Sequence, residues 1–344
     1  MKKFKLSFLL LLTGILLLSA CRKTEDGCAT FDPHADLLAT PPGFPEVQFP
    51  AGNEFTQARW ELGKKLFYDP ILSRTNTHSC ASCHKTNLAF ADNLPTTPGI
   101  ENRPGKRNAP TLANVAYHPY ILREGSNATL EMQVLVPIQE SNEFDHNIVD
   151  ISYQLRADTQ YIRMSDEAYG RLPDPFVITR AIGTFERTLI SGNSPYDKYA
   201  FQGCSDALTP SQKRGMDLFF DQKVDCNQCH GGFNFTEYAF ENNGLYADSP
   251  DPGRMHFTND SADLAKFKVP SLRNIAHTAP YMYDGSLQSL EEVIEHYDKG
   301  GNEHPNQNHL IRPLHLTELE KADLLQFLLA LSDESFLSNP AFQK

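Results

Sequence analysis

The chain has 344 residues, 40% of them hydrophobic, with a formal net charge of −12. That length accommodates two domains, each with a core of its own, and the hydrophobic share excludes a disordered or low-complexity protein. The acidic balance argues against a nucleic-acid partner and favours a basic soluble one.

In chain order, the first element is a leader. Lys2, Lys3 and Lys5 precede an apolar run that ends Leu18-Ser19-Ala20-Cys21. Lysines before a short apolar stretch read as an export signal over residues 1–21, too short and wrongly flanked for a stable membrane span. Its ending resembles a lipobox, so Cys21 is expected to become the acylated first residue of a mature lipoprotein. That places the chain on the periplasmic side of the cell envelope, held to a membrane by a lipid anchor. Residues 22–52 are polar and punctuated by prolines, and read as a flexible tether.

The first domain is expected over residues 53–195. "FTQARWELGKKLFYDP" has helical spacing, with Phe55, Trp60, Leu62, Leu66 and Phe67 on an apolar face. A loop-rich stretch over 70–128 carries "CASCH": Cys80, Cys83 and His84. Helical patterns return at "TLEMQVLVPI" and "FVITRAIGTFERTLI", and "SGNSPYDKYAFQGCSDA" breaks the pattern at the domain boundary. The second domain, residues 205–335, restarts with "LTPSQKRGMDLFFD", where Thr209 suits an N-cap, Pro210 the first turn and Gln212 the third helical position. "CNQCH" follows, with Cys226, Cys229 and His230, and a last helix opens on the Thr317–Glu320 capping box. Helix then CxxCH, once per half, is a degenerate internal duplication. Alternating strand patterns are scarce, so the fold class is mainly α with long loops.

CxxCH has a specific chemistry. Two thiols three residues apart meet the two vinyl groups of one porphyrin, and the next residue brings an imidazole to the iron. Each cluster is therefore expected to attach one haem c covalently, with His84 and His230 as proximal ligands. Zinc would want both CxxC pairs in one compact site and would leave the histidines surplus. A thioredoxin-like redox pair would want a βαβ context, which is missing. Cys28 and Cys204 remain over and could pair outside the cytoplasm.

Beyond these clusters the chain resembles the bacterial di-haem cytochrome c peroxidases, a family that includes MauG-type enzymes. The similarity runs from about residue 54 to 332 through "LGKKLFYDPILSRTNTHSCASCH", "GKRNAPTLANVA", "FERTLISGNSPYDKY", "FKVPSLRNIAHTAPYMYDGS" and "LEEVIEHYDKGG". It implies two cytochrome c-like domains, hydrogen peroxide reduced at the N-terminal haem, and electrons fed through the C-terminal one from a small cytochrome c or similar donor. By the same resemblance Gln133, Pro137 and Glu143 line the distal face of the first haem. Glu143 is the expected acid–base, moving a proton between the two peroxide oxygens. Many members block the first haem with a loop histidine, yet residues 85–117 contain none. The first iron is thus expected to be open without reductive activation.

The second haem needs a sixth ligand, a methionine in electron-transferring members and a tyrosine in MauG. Twelve residues beyond Gly285 stands Tyr297, the favoured ligand; Met282 is the rival. A phenolate would set a low potential and a thioether a higher one. Asn108, Thr278 and Pro280 match positions that hold a calcium ion between the domains, an ion suited to oxygen donors. Arg123 stands where the family usually places an inter-haem tryptophan, leaving Tyr117 or Tyr120 as substitutes for that relay. Three readings follow: a lipid-anchored peroxidase; a MauG-like oxidase that stores two oxidising equivalents and oxidises a protein side chain; and a non-enzymatic electron carrier. A homodimer is left open.

Overall fold

Polar residues with short side chains start the helices that build each half. Thr56 caps the helix Gln57–Phe67, its hydroxyl accepting from the Arg59 N–H at 3.2 Å. Asp174 caps Pro175–Glu186 in the same way through the Val177 N–H at 2.9 Å. These two helices pack along each other and bury Trp60, Leu66, Phe67, Ile178, Ile182 and Phe185. Their close approach requires Gly63, because a Cβ there would lie 1.9 Å from the Ala181 carbonyl oxygen. In this computed structural model the described residues are 28, 29 and 31–344, so the leader and Cys21 lie outside them.

The second half repeats the device. Capping boxes at Thr209 and Thr317 start the helices Pro210–Phe219 and Glu318–Leu329, which pack on each other. Gly215 sits at their crossing, where a Cβ would lie 1.9 Å from the Asp323 carbonyl oxygen. The repeat extends further than the helix-and-CxxCH pattern. Asn114 and Asn274 both take left-handed backbone, as do Leu122 and Met282, and Gly125 and Gly285. The bridges Ile121–Asn127 and Tyr281–Leu287 correspond as well. The described residues are mainly helical; Phe240–Glu241 pairs antiparallel with Phe267–Lys268 in a two-stranded sheet.

Two hydrophobic cores result, one per half. One detail differs from the sequence reading. Of residues 22–52, expected as a tether, the described ones are laid across the molecule: Cys28 is disulfide-bonded to Cys204, and the Ala29 N–H donates to the Gln202 carbonyl at 2.8 Å. Phe44 packs edge-on against Phe233 and Tyr117, and His34 reaches the Ser335 carbonyl. Aromatic and proline side chains scattered through a polar stretch carry no periodicity, so their docking is invisible in the pattern.

The segment expected to hold the boundary contains a buried polar network. Ser191, Ser194 and Asp197 are buried there, and Asp197 forms a bidentate pair with buried Arg273 at 2.9 Å on each oxygen. Finally, the chain end returns to the other half, where Phe336, Leu337 and Phe342 join the first core. Asp333 holds this crossing, its carboxylate accepting from the Gly192 and Asn193 N–H groups at 3.0 Å each. No helix among the described residues is long and apolar enough to cross a membrane.

Candidate active site

Cys80–Cys83 is a single helical turn, closed by the His84 N–H donating to the Cys80 carbonyl at 2.9 Å. One turn is what places two thiols and a following imidazole around a common point. The His84 Nδ1–H donates to the Phe90 carbonyl at 2.7 Å, which leaves Nε2 as the ring's lone-pair nitrogen. Ala89 and Phe90 both adopt left-handed backbone to bring that carbonyl round. Burial disfavours the imidazolium, so the ring stands neutral, the form a metal ligand requires.

The second cluster is built alike. The His230 N–H donates to the Cys226 carbonyl at 2.9 Å, and Nδ1 lies 3.2 Å from the carbonyls of Phe235 and Pro270. Burial pushes its imidazole down to about 4. All four CxxCH thiols are free and half-buried, and burial raises each of them. Free thiol pairs at i, i+3, each followed by a neutral imidazole with its outer nitrogen unengaged, fit covalent haem. The carbonyl-anchored Nδ1 is the partner such a ligand needs.

Glu143 is brought to the first cluster. Its charge raises the thiols of both Cys83 and Cys80. It keeps a solvent-facing surface, yet surrounding protein raises its own carboxyl above the usual range, with Glu140 adding to the effect. Gly99 permits this approach, since a Cβ there would meet the Asn142 carbonyl oxygen at 1.9 Å, and the Ile100 N–H donates to the Glu143 carbonyl at 3.0 Å. Pro137 joins the same region, its carbonyl accepting from the Phe144 N–H at 3.1 Å. Gln133 closes the helix Leu130–Gln133 one turn earlier, half-buried.

At the second cluster Tyr297, on the helix Leu290–Lys299, is raised by burial, with the charges of Cys226 and Cys229 contributing. Met282 lies beside it. The Asn243 side-chain amide reaches the Met282 sulfur at 3.2 Å and the Tyr297 hydroxyl at 3.5 Å. His296 Nε2 lies 2.9 Å from the Asn243 carbonyl, holding that bridge in place. The internal repeat gives this arrangement a meaning. Counted from Gly125 and Gly285, Pro137 and Tyr297 occupy equivalent positions, and proline carries no donor atom for iron whereas tyrosine does.

Asn108, Thr278 and Pro280 were expected around a calcium ion. Both Asn108 oxygens instead accept from Arg123, Oδ1 at 2.8 Å and the carbonyl at 3.0 Å. An oxygen facing a guanidinium is poorly placed to ligate a divalent cation, so this residue does not fit that role. Trp60 is a core residue, donating to the Thr188 hydroxyl at 2.9 Å. Tyr117 and Tyr120 both touch rings of the second half, Phe233 at 5.0 Å and Phe240 at 5.7 Å.

Two residues escaped the sequence reading. Asn243 lies in a loop without pattern and carried no signal. Glu186 is buried near Cys80, with Oε2 unpaired. Its i+4 spacing from Ile178 and Ile182 put an acid on the buried stripe, which was a readable signal.

Comparison with known proteins identifies the family. Residues 57–205 match the family model for di-haem cytochrome c peroxidases. The methylamine utilization protein MauG of Methylorubrum extorquens is 36% identical over 90% of each chain. The chain belongs to the di-haem cytochrome c peroxidase family. The cytochrome-c peroxidase IdrP1 of a Pseudomonas species is 32% identical, over 88% of this chain and 86% of the relative. Among solved structures, a MauG-like protein associated with microbial copper homeostasis superposes with a TM-score of 0.83 at 34% identity, covering 91% of this chain and 99% of that one. This family member is therefore an enzyme, an oxidoreductase, and the family implies haem c as its cofactor.

Proposed function

We propose that this family member reduces hydrogen peroxide to water at the first CxxCH cluster, using electrons that enter through the second from a small periplasmic cytochrome. Each half is a cytochrome c-like domain with its haem tethered through Cys80 and Cys83, or Cys226 and Cys229. His84 and His230 hold the irons. When bound, the haems accept and pass on single electrons. The remaining chemistry is proton movement, and it falls to this chain's own residues.

The observation that carries the reading is the placing of Glu143. Its carboxyl is raised by burial beside the first pair of thiols, with Glu140 adding to the rise and Lys106 opposing it. Such a group can take the proton from one peroxide oxygen and return it to the other as the O–O bond breaks. With two electrons and two further protons, the products are two waters. Gln133 offers an amide to orient the peroxide, and Pro137 keeps the facing position free of a ligand. The leader and Cys21 would hold the enzyme at the periplasmic side of the envelope.

The test is Glu143→Gln, which keeps the shape and removes the base. Peroxide turnover with reduced cytochrome is expected to fall about 100-fold or more, with both haems retained in the optical spectrum. Turnover equal to wild type would refute the assignment.

Tyr297 favours a second reading, a MauG-like oxidation of a protein side chain. A phenolate on the second iron would lower its potential and suit it to storing oxidising equivalents. Electron paramagnetic resonance of the ferric protein decides the ligand. Tyr297→Phe is expected to change the second haem's signal and Met282→Leu to leave it unchanged; the reverse outcome assigns the thioether and removes the support for the oxidase.

A further inference from the structure

Arg123 lies at the junction of the two halves. Its Nε donates to the Asn108 carbonyl at 3.0 Å and its Nη2 to Asn108 Oδ1 at 2.8 Å. Asn108 in turn donates its main-chain N–H to the Tyr283 carbonyl of the second half at 2.8 Å, and its side-chain amide to the Leu94 carbonyl at 3.0 Å. The Arg123 carbonyl accepts from the Lys268 N–H at 2.6 Å, again across the junction. This one arginine and its asparagine partner thus tie the first half to two separate segments of the second.

Arg123 shares these surroundings with two other cations, Arg107 and the half-buried Lys268, and is mutually repelled by both. Arg107 is satisfied by its own acids, Glu124 and the bidentate Asp251. Asp284 and Glu124 act favourably on the Arg123 guanidinium, while Arg107 opposes it. A divalent ion on Asn108 Oδ1 would have to displace the guanidinium or share its oxygen, and a buried second cation there is repelled strongly. Arginine also spans two acceptors with a planar fork, the geometry seen on the two Asn108 oxygens.

We propose that Arg123 is a built-in replacement for the inter-domain cation, so that the holoprotein is structurally indifferent to calcium. The guanidinium draws Asn108 against the Tyr283 segment, as an ion would, and also fills the place expected for an inter-haem tryptophan. This makes Arg123 a positioning residue.

The experiment uses the holoprotein, stripped with EGTA and then given millimolar calcium. Wild type is expected to hold no stoichiometric calcium by elemental analysis, with no change in Tm or in either haem's paramagnetic resonance signal. Arg123→Gln frees Asn108 Oδ1 and removes the charge. That variant is expected to unfold earlier, and calcium is expected to raise its Tm by about 3 °C or more. Calcium bound tightly by wild type, or an EGTA-induced fall in its Tm, would overturn the proposal. So would a folded Arg123→Gln protein as indifferent to calcium as wild type. Should that variant fail to fold with or without calcium, Asn108→Asp decides. Beside a guanidinium the new carboxylate forms an ion pair and calcium indifference persists; a calcium-dependent rise in its Tm would refute the proposal.

Discussion

Glu186 has a carboxyl oxygen with no hydrogen-bond partner and is 4% exposed. Burial pushes its carboxyl up to about 8, with Arg187 opposing and Glu131 adding to the rise. The unfolded chain would release that proton near pH 4.3. Between about pH 4 and pH 8 the folded protein therefore holds a proton that the unfolded chain has given up, and stability is lost as pH rises through this window. Thermal unfolding across pH 5 to 8 is expected to show Tm falling in wild type and staying flatter in Glu186→Gln. Parallel falls in the two proteins would place the effect elsewhere. Residue identities that act through short spacing were legible, as in both CxxCH triplets. Asn243 was not, because its role depends on a loop that brings it to Met282 and Tyr297 from 39 and 54 residues away.

At the scale of elements, the two halves share one packing solution. A helix carrying a glycine crosses a partner helix so closely that the glycine faces its backbone. Backbone cannot step aside as a flexible side chain can, so Gly63→Ala and Gly215→Ala are each expected to destabilise the protein by about 3 kcal/mol. Denaturant titration measures this, and a midpoint within error of wild type would show that the helices part without penalty. The helices themselves were readable from caps and apolar periodicity: Thr209, Thr317 and the face of Trp60, Leu66 and Phe67 stand as the pattern implied. The docking of residues 31–52 was not. Phe44 meets Phe233 and Tyr117 only because distant segments converge, and an irregular stretch gives no period from which to infer it.

For the whole molecule, the junction between halves is polar and buried. Asp197 and Arg273 are both at most 1% exposed and pair through two hydrogen bonds of 2.9 Å. Removing one partner leaves a buried charge uncompensated, so Asp197→Ala is expected to cost about 3–5 kcal/mol. Chemical denaturation followed separately at each haem would report it; an unchanged midpoint for both would mean that the halves do not depend on this tie.

The sequence by itself determined the chemistry that needs only neighbours along the chain. Two thiols and an imidazole in five residues, a capping box and an apolar stripe each act within one or two helical turns, where spacing is geometry. Tertiary structure alone decided which other distant groups meet: Asn243 between Met282 and Tyr297, and Arg123 on Asn108. Those pairings arise from packing across loops and between halves, and the distance between two residues in space is not written in their separation along the chain.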